Sequence, residues 1–149
     1  MVGKVRHGTG PGTSREEICV LLRQFFARQE DVAAAYLVGS RARGDERADS
    51  DVDVGVFFRG TVARDAVQSL ERRSAIAADL EGILPARADV VDLDRVSPWI
   101  FHAMFEDALL VFLADRQRQV LAVLRQDQLY QDEFDLYVER MAYVRRQLL

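Results

Sequence analysis

The sequence predicts an α/β (α+β) domain in which short buried strands and amphipathic helices follow one another in mixed order and a helical segment closes the chain. Three observations predict it. Strand-length apolar runs occur at Val32–Val38, Asp51–Phe58, Ala88–Leu93 and Ala108–Leu113. Stretches with helical spacing of apolar residues lie between and after them. The 149 residues, 49% hydrophobic and 30% charged, suit one soluble domain that buries a core without disulfides or a structural metal.

The elements follow in order. Met1 to Thr13 holds glycines and Pro11 and is expected to be a flexible tail, with residues 14–149 forming a single domain. Ser14 with Glu17 three residues on has the form of a capping box, and Ile18, Leu21, Leu22, Phe25 and Phe26 recur at helical spacing, so a helix is expected from about Ser14 to Gln29. Val32–Val38, closed by Gly39, is apolar throughout, as in a strand buried on both faces. Ser40 to Ser50 is polar and arginine-rich, and predicts a loop or a short helical turn. In Asp51–Phe58 the alternation places Asp51 and Asp53 on one face and Val52, Val54 and Val56 on the other. A helix over about Ala63 to Leu80 is expected from Val67, Leu70 and Ile76, and the strand at Ala88–Leu93 includes Asp89. Ser97-Pro98 is a helix start, with serine as cap and proline at the first helical position, and the helix should run to about Glu106. Beyond Asp115, Tyr130, Phe134, Tyr137, Met141, Val144 and Leu148 alternate steps of four and three, the seam of a packed helix, whose favoured role is intramolecular core.

Composition excludes several classes. No apolar run is long enough to cross a bilayer, and Met1 to Thr13 does not read as a secretory signal, so no membrane association is expected. Cys19 is the only cysteine, which rules out an intramolecular disulfide or a cysteine-based zinc cage and fits a cytoplasmic protein. A net charge of −4 gives no general attraction for nucleic acid, and no direct nucleic-acid binding is expected. Lys4 is the sole lysine among 20 basic residues, a bias of composition and not of chemistry.

The chemistry lies between Gly39 and Asp89. Two carboxylates side by side on a strand repel, and a divalent cation removes that cost. Hard oxygen donors suit Mg2+, with Mn2+ as the alternative, and such ions complete their shells with water and substrate phosphates. Gly39-Ser40 precedes the carboxylates and permits close backbone approach, with N–H groups and a hydroxyl turned toward an anion. In two-metal nucleotidyl transfer one ion holds the triphosphate and the other activates the attacking hydroxyl. A third carboxylate is then wanted, and Asp89 is preferred over Asp92, which should face the opposite side. Arg41 and Arg43, and less so Arg47, are candidates to hold the triphosphate, or else they balance Asp45, Glu46 and Asp49 in a solvated loop. His102, near Trp99 and Phe105, reads as a packing or partner-contact residue rather than a general base.

Gly39-Ser40, ten intervening residues, then Asp51-Val52-Asp53 resembles the signature of the polymerase-beta-type nucleotidyltransferase superfamily, and the short chain is most similar to its minimal (MNT) members. The resemblance implies a nucleotidyltransferase fold with a mixed central sheet flanked by helices, ATP as donor, Mg2+ and release of pyrophosphate. It implies that Ser40 contacts the donor phosphates, that Asp51 and Asp53 bind metal, and that Asp89 serves the acceptor hydroxyl. It further implies an antitoxin encoded beside a HEPN ribonuclease toxin, to one of whose tyrosines AMP is transferred. Two other functions compete. One is transfer to a small molecule such as an aminoglycoside, against which the short chain argues unless an oligomer builds the acceptor pocket. The other is an antitoxin that acts by binding alone, for which the three carboxylates would be unnecessary.

Overall fold

A computed structural model describes residues 14–47, 49–60 and 65–148. The expected tail at 1–13 lies outside these residues, as do the first two positions of the helix expected from Ala63. Along the described chain run α1 (Arg15–Phe26), β1 (Val32–Val38), α2 (Ser40–Arg43), β2 (Val52–Phe58), α3 (Ala66–Glu81), β3 (Ala88–Asp92), α4 (Pro98–Phe105), β4 (Leu109–Leu113) and α5 (Arg116–Leu148). The strands form one mixed sheet in the order β3-β2-β1-β4. β1 is antiparallel to both β2 and β4, whereas β2 and β3 are parallel and joined by α3.

Each face of the sheet has its own core. On one, Ile18, Leu22 and Phe26 of α1 and Ile76 and Leu80 of α3 cover Val52, Val54, Val56 and Val90. On the other, Phe101 of α4 and Ala122 of α5 cover Ala34, Tyr36, Val38, Phe57 and Leu93. β1 lies between β2 and β4 with helices on both faces, and for this reason all seven of its residues are buried and its sequence is apolar throughout.

Helix starts follow side-chain caps. Ser14 accepts the Glu17 amide at 3.1 Å, and Ser97 accepts the Ile100 amide at 3.3 Å with Pro98 at the first position. α3 starts later than its apolar pattern predicts, because Asp65 and Gln68 form a reciprocal capping box. Its buried face also differs from the expected one. Ile76 is buried as expected, but Val67 and Leu70 are exposed, and α3 turns Ser69 and Leu80 inward beside Ile76, where the Ser69 hydroxyl donates to buried Asp92 at 2.8 Å.

The second half of α5 corrects the intramolecular reading of its seam. Trp99 packs its ring against Tyr130, Phe134 and Tyr137, yet Phe134, Tyr137, Met141, Val144 and Leu148 are all exposed. Among the described residues no second layer covers this part of the helix.

Candidate active site

The site forms at the end of the sheet where β1 leaves and β2 and β3 begin. Because β2 and β3 are parallel, their N-terminal ends lie together, and Asp53 is the register partner of Asp89. Asp53 also sits opposite Val38, the last residue of β1, which brings it against the turn that follows. That turn is Gly39, with φ 73° and ψ −156°, a conformation open essentially to glycine alone. A methyl group there would meet Asp53 Oδ2 at 2.3 Å. The glycine thus gives the backbone its turn and leaves the space that the carboxylate fills.

Gly39 caps α2, and its carbonyl accepts the amides of Ala42 and Arg43 at 3.1 and 3.2 Å. The first amides of a helix have no carbonyl of their own to bond, so Ser40 and Arg41 present theirs at the start of α2, beside Asp53. Ser40 itself is half-buried. Asp51 is exposed at the approach to β2, and the strict alternation puts it on the same face as Asp53.

Electrostatically this is a strained cluster. Burial raises the Asp53 carboxyl above its ordinary range; the charges of Asp89 and Asp51 raise it further, and Arg43 partly opposes them. Among the described residues no three His, Cys, Asp or Glu side chains converge closely enough to hold an ion by themselves. The donor set still fits a divalent cation of the magnesium type. It consists of carboxylate oxygens whose mutual repulsion a cation relieves, and such ions take one or two carboxylates and fill the remaining positions with water and phosphate.

The two arginines next to the turn separate. Arg43 is exposed, pairs with Asp45 at 3.2 Å and is close enough to lower the Asp53 carboxyl. Arg41 departs from the expected phosphate contact. It is 4% exposed, and its Nε and Nη2 both donate to the Ser50 carbonyl at 3.1 and 2.9 Å, tying the start of α2 to the residue before Asp51. Nothing local in the sequence separates these two arginines, since the Ser50 carbonyl is brought beside Arg41 only by closure of the loop. Arg47 is exposed, and its amide is bonded to Ser50 Oγ at 2.7 Å.

The third carboxylate follows the alternation. Asp89 is exposed on the Asp53 face, whereas Asp92 is buried, accepts from Ser69 Oγ and accepts the Asp94 amide at 3.1 Å. Asp92, the alternative third carboxylate, is instead a tie between β3 and α3. His102 stacks on Tyr130 with ring centroids 4.0 Å apart, on α4, in keeping with a packing role.

A mixed β3-β2-β1-β4 sheet with a glycine turn abutting paired carboxylates defines a nucleotide-handling α/β domain. The sequence model of the family described as Polymerase beta, Nucleotidyltransferase matches residues 21–117, more than half of the chain, and the chain belongs to that family. No curated protein sequence matches it. Solved structures with the same fold include a chain of a toxin-antitoxin complex with AMP-PNP, at 23% identity, covering 91% of this chain and 98% of that one, with a TM-score of 0.60. A Shewanella oneidensis structure aligns over 89% and 97% at 20% identity with a TM-score of 0.59. A tri-AMPylated Shewanella oneidensis HEPN toxin in complex with MNT antitoxin includes a chain that aligns over 91% and 96% at 21% identity, with a TM-score of 0.52. Among the described residues no helix is long and apolar enough to cross a membrane.

Proposed function

We propose that this chain is a cytoplasmic antitoxin that transfers AMP from ATP to a tyrosine hydroxyl of a HEPN ribonuclease toxin. The observation that supports this most directly is the register pairing of Asp53 with Asp89 beside the Gly39 turn. The fold neighbours described with AMP-PNP and with an AMPylated HEPN toxin indicate the donor and the kind of acceptor.

In this reading the amides at the start of α2 and the Ser40 hydroxyl hold the donor phosphates, and Arg43 adds positive charge at the rim. A divalent cation, Mg2+ or Mn2+, would be held by Asp51 and Asp53 together with the triphosphate; when bound, it neutralises charge on the phosphates and lowers the pKa of the acceptor hydroxyl. Asp89 orients the tyrosine hydroxyl and receives its proton. The tyrosine oxygen forms a bond to the α-phosphorus, the bond from that phosphorus to the bridging oxygen breaks, and pyrophosphate leaves with the electron pair. Exposure of Asp51 and Asp89 suits an acceptor presented by another protein.

The test is to incubate the full chain with a HEPN partner, Mg2+ and α-labelled ATP, with Asp53→Asn and Asp89→Asn variants alongside. Label on a partner tyrosine that both substitutions abolish is the expected result. A stable complex that silences the partner without transfer would replace this reading with neutralisation by binding alone.

A further inference from the structure

α5 is 33 residues long, yet Ala122 and Gln126, both in its first third, are its buried residues. From Tyr130 onward the seam Tyr130, Phe134, Tyr137, Met141, Val144 and Leu148 continues along one side of the helix with the spacing of a coiled coil. Met141 is 49% exposed and Leu148 80% exposed, and Trp99, which flanks the beginning of the seam, is itself 43% exposed. Single exposed apolar residues need no explanation; a continuous seam with an aromatic shoulder calls for an occupant.

The charges select one. Five acids and no base lie from Asp127 to Glu139, and three arginines and no acid lie from Arg140 to Leu148. A parallel copy would set Arg140 of one copy beside Arg145 of the other, like charge against like. An antiparallel copy, turned about a two-fold axis at Glu139, sets Glu133, which flanks the seam, beside Arg140 of the other copy. The same operation layers Phe134 on Val144 and Tyr137 on Met141, and brings Leu148 to the end of the seam at Tyr130, whose ring His102 and Trp99 of α4 already cover. Glu139 itself, nine residues from Tyr130, points about half a turn away from the seam, so the two copies do not oppose each other there. The Trp99 shoulder of one copy then meets the Leu148 end of the other.

We propose that the protruding half of α5 pairs antiparallel with the same segment of a second copy of this chain. This reading is independent of the proposed reaction, and its test does not measure nucleotide transfer.

The experiment is sedimentation velocity on the full chain over a concentration series, with two charge variants. One is Arg140→Glu; the other is Glu133→Arg. Dimers are expected for the native chain, monomers for each variant alone at the same concentration, and recovery of dimer when the two are mixed. Circular dichroism checks that each variant keeps its helix. Should the variants unfold, a spin label at Leu148→Cys in a Cys19→Ala background decides the orientation, because the antiparallel pair separates the two labels by about 27 Å along the axis, from 18 residues at 1.5 Å each. A native chain that stays monomeric would overturn the proposal, including one that engages a different protein through this seam. So would dimerisation indifferent to both charge reversals, or labels lying side by side.

Discussion

Replacing Gly39 by alanine tests the site where backbone and carboxylate meet. At φ 73° and ψ −156° an alanine is strained, at about 1–3 kcal/mol for a residue held in such a region. The added methyl also lies 2.3 Å from Asp53 Oδ2, a distance that Cβ atoms essentially never tolerate, so Asp53 must move. In a domain of this size each kcal/mol lowers the melting temperature by roughly 2–4 °C, which gives a fall of roughly 2–12 °C. A catalytic group displaced by about 1 Å costs on the order of 10²-fold in rate. Gly44→Ala is the control. It has φ 80° and ψ 17°, but its Cβ would meet nothing closer than Arg15 Nη1 at 3.9 Å, so it should lose about 1–2 kcal/mol and keep its activity. Thermal melts give the first quantity, and initial rates of label transfer to a HEPN partner give the second. A Gly39→Ala chain that melts with the native protein and transfers at the native rate would refute the reasoning, as would equal loss of activity in both variants.

Four further outcomes are expected. Asp53→Asn should stabilise the metal-free protein at neutral pH by about 0.2–1 kcal/mol, a range discounted for partial exposure. The folded-state carboxyl is raised, so the unfolded chain releases its proton first and native stability falls as pH rises from the ordinary carboxylate range through the folded pKa. The benefit of Asp53→Asn should therefore be absent in acid and appear across that window, in melts taken as a pH series. Asp89→Asn should abolish transfer and change stability by no more than about 0.5 kcal/mol, while Asp92→Ala, by stranding the Ser69 hydroxyl and the Asp94 amide, should cost about 1–3 kcal/mol in denaturant titrations. Arg41→Lys should lose about 1–3 kcal/mol because one ammonium cannot reproduce two bonds to the Ser50 carbonyl, whereas Arg43→Ala should leave the melting temperature within a degree or two and slow transfer. Gly55→Ala should cost about 1–3 kcal/mol by overpacking, since its Cβ would come within 2.8–3.0 Å of the Leu93 side chain, and a native melting temperature would contradict that contact.

What the sequence made legible was whatever has a short period. The β1 run from Val32 to Val38 matched the strand to the residue, because burial on both faces removes polar positions that would blur its ends. Alternation placed Asp89 with Asp53 and sent Asp92 to the other face, because a strand side chain has only two directions to choose from. Helix faces were less legible. On α3, Val67 and Leu70 look like core, but a buried polar pair between Ser69 and Asp92 sets the rotation instead, and polar partners leave no apolar periodicity to read. Arg41 and Arg43 are alike as letters in a loop, and only its closure around the Ser50 carbonyl separates a buried clamp from an exposed cation. The seam of α5 was visible as a seam, yet periodicity says that a face is apolar, not whose surface covers it.

The pairing of Asp53 with Asp89 depends on contacts some distance from it. A slip of β3 by one residue would turn Asp89 to the α1/α3 face and leave Asp53 beside an apolar valine or alanine. Three contacts oppose that slip. The Leu93 amide bonds to the Val56 carbonyl at 2.9 Å while its side chain fills the space above Gly55; Asp92 is held by Ser69; and the Val52 amide bonds to the Arg87 carbonyl at 2.8 Å. Two of these use positions that a purely apolar strand would fill with valine. Gly55 has given up a side chain to make room for Leu93, and Asp92 has accepted burial in exchange for a directional bond. A directional bond and a shape match fix register more sharply than interchangeable valines can, because interchangeable valines pack nearly as well two residues out of step. The like charges of Asp53 and Asp89 push in the opposite sense, toward separation of the strands, so the pairing at the site is held by one bond beside it and by two contacts at the far end of the strands.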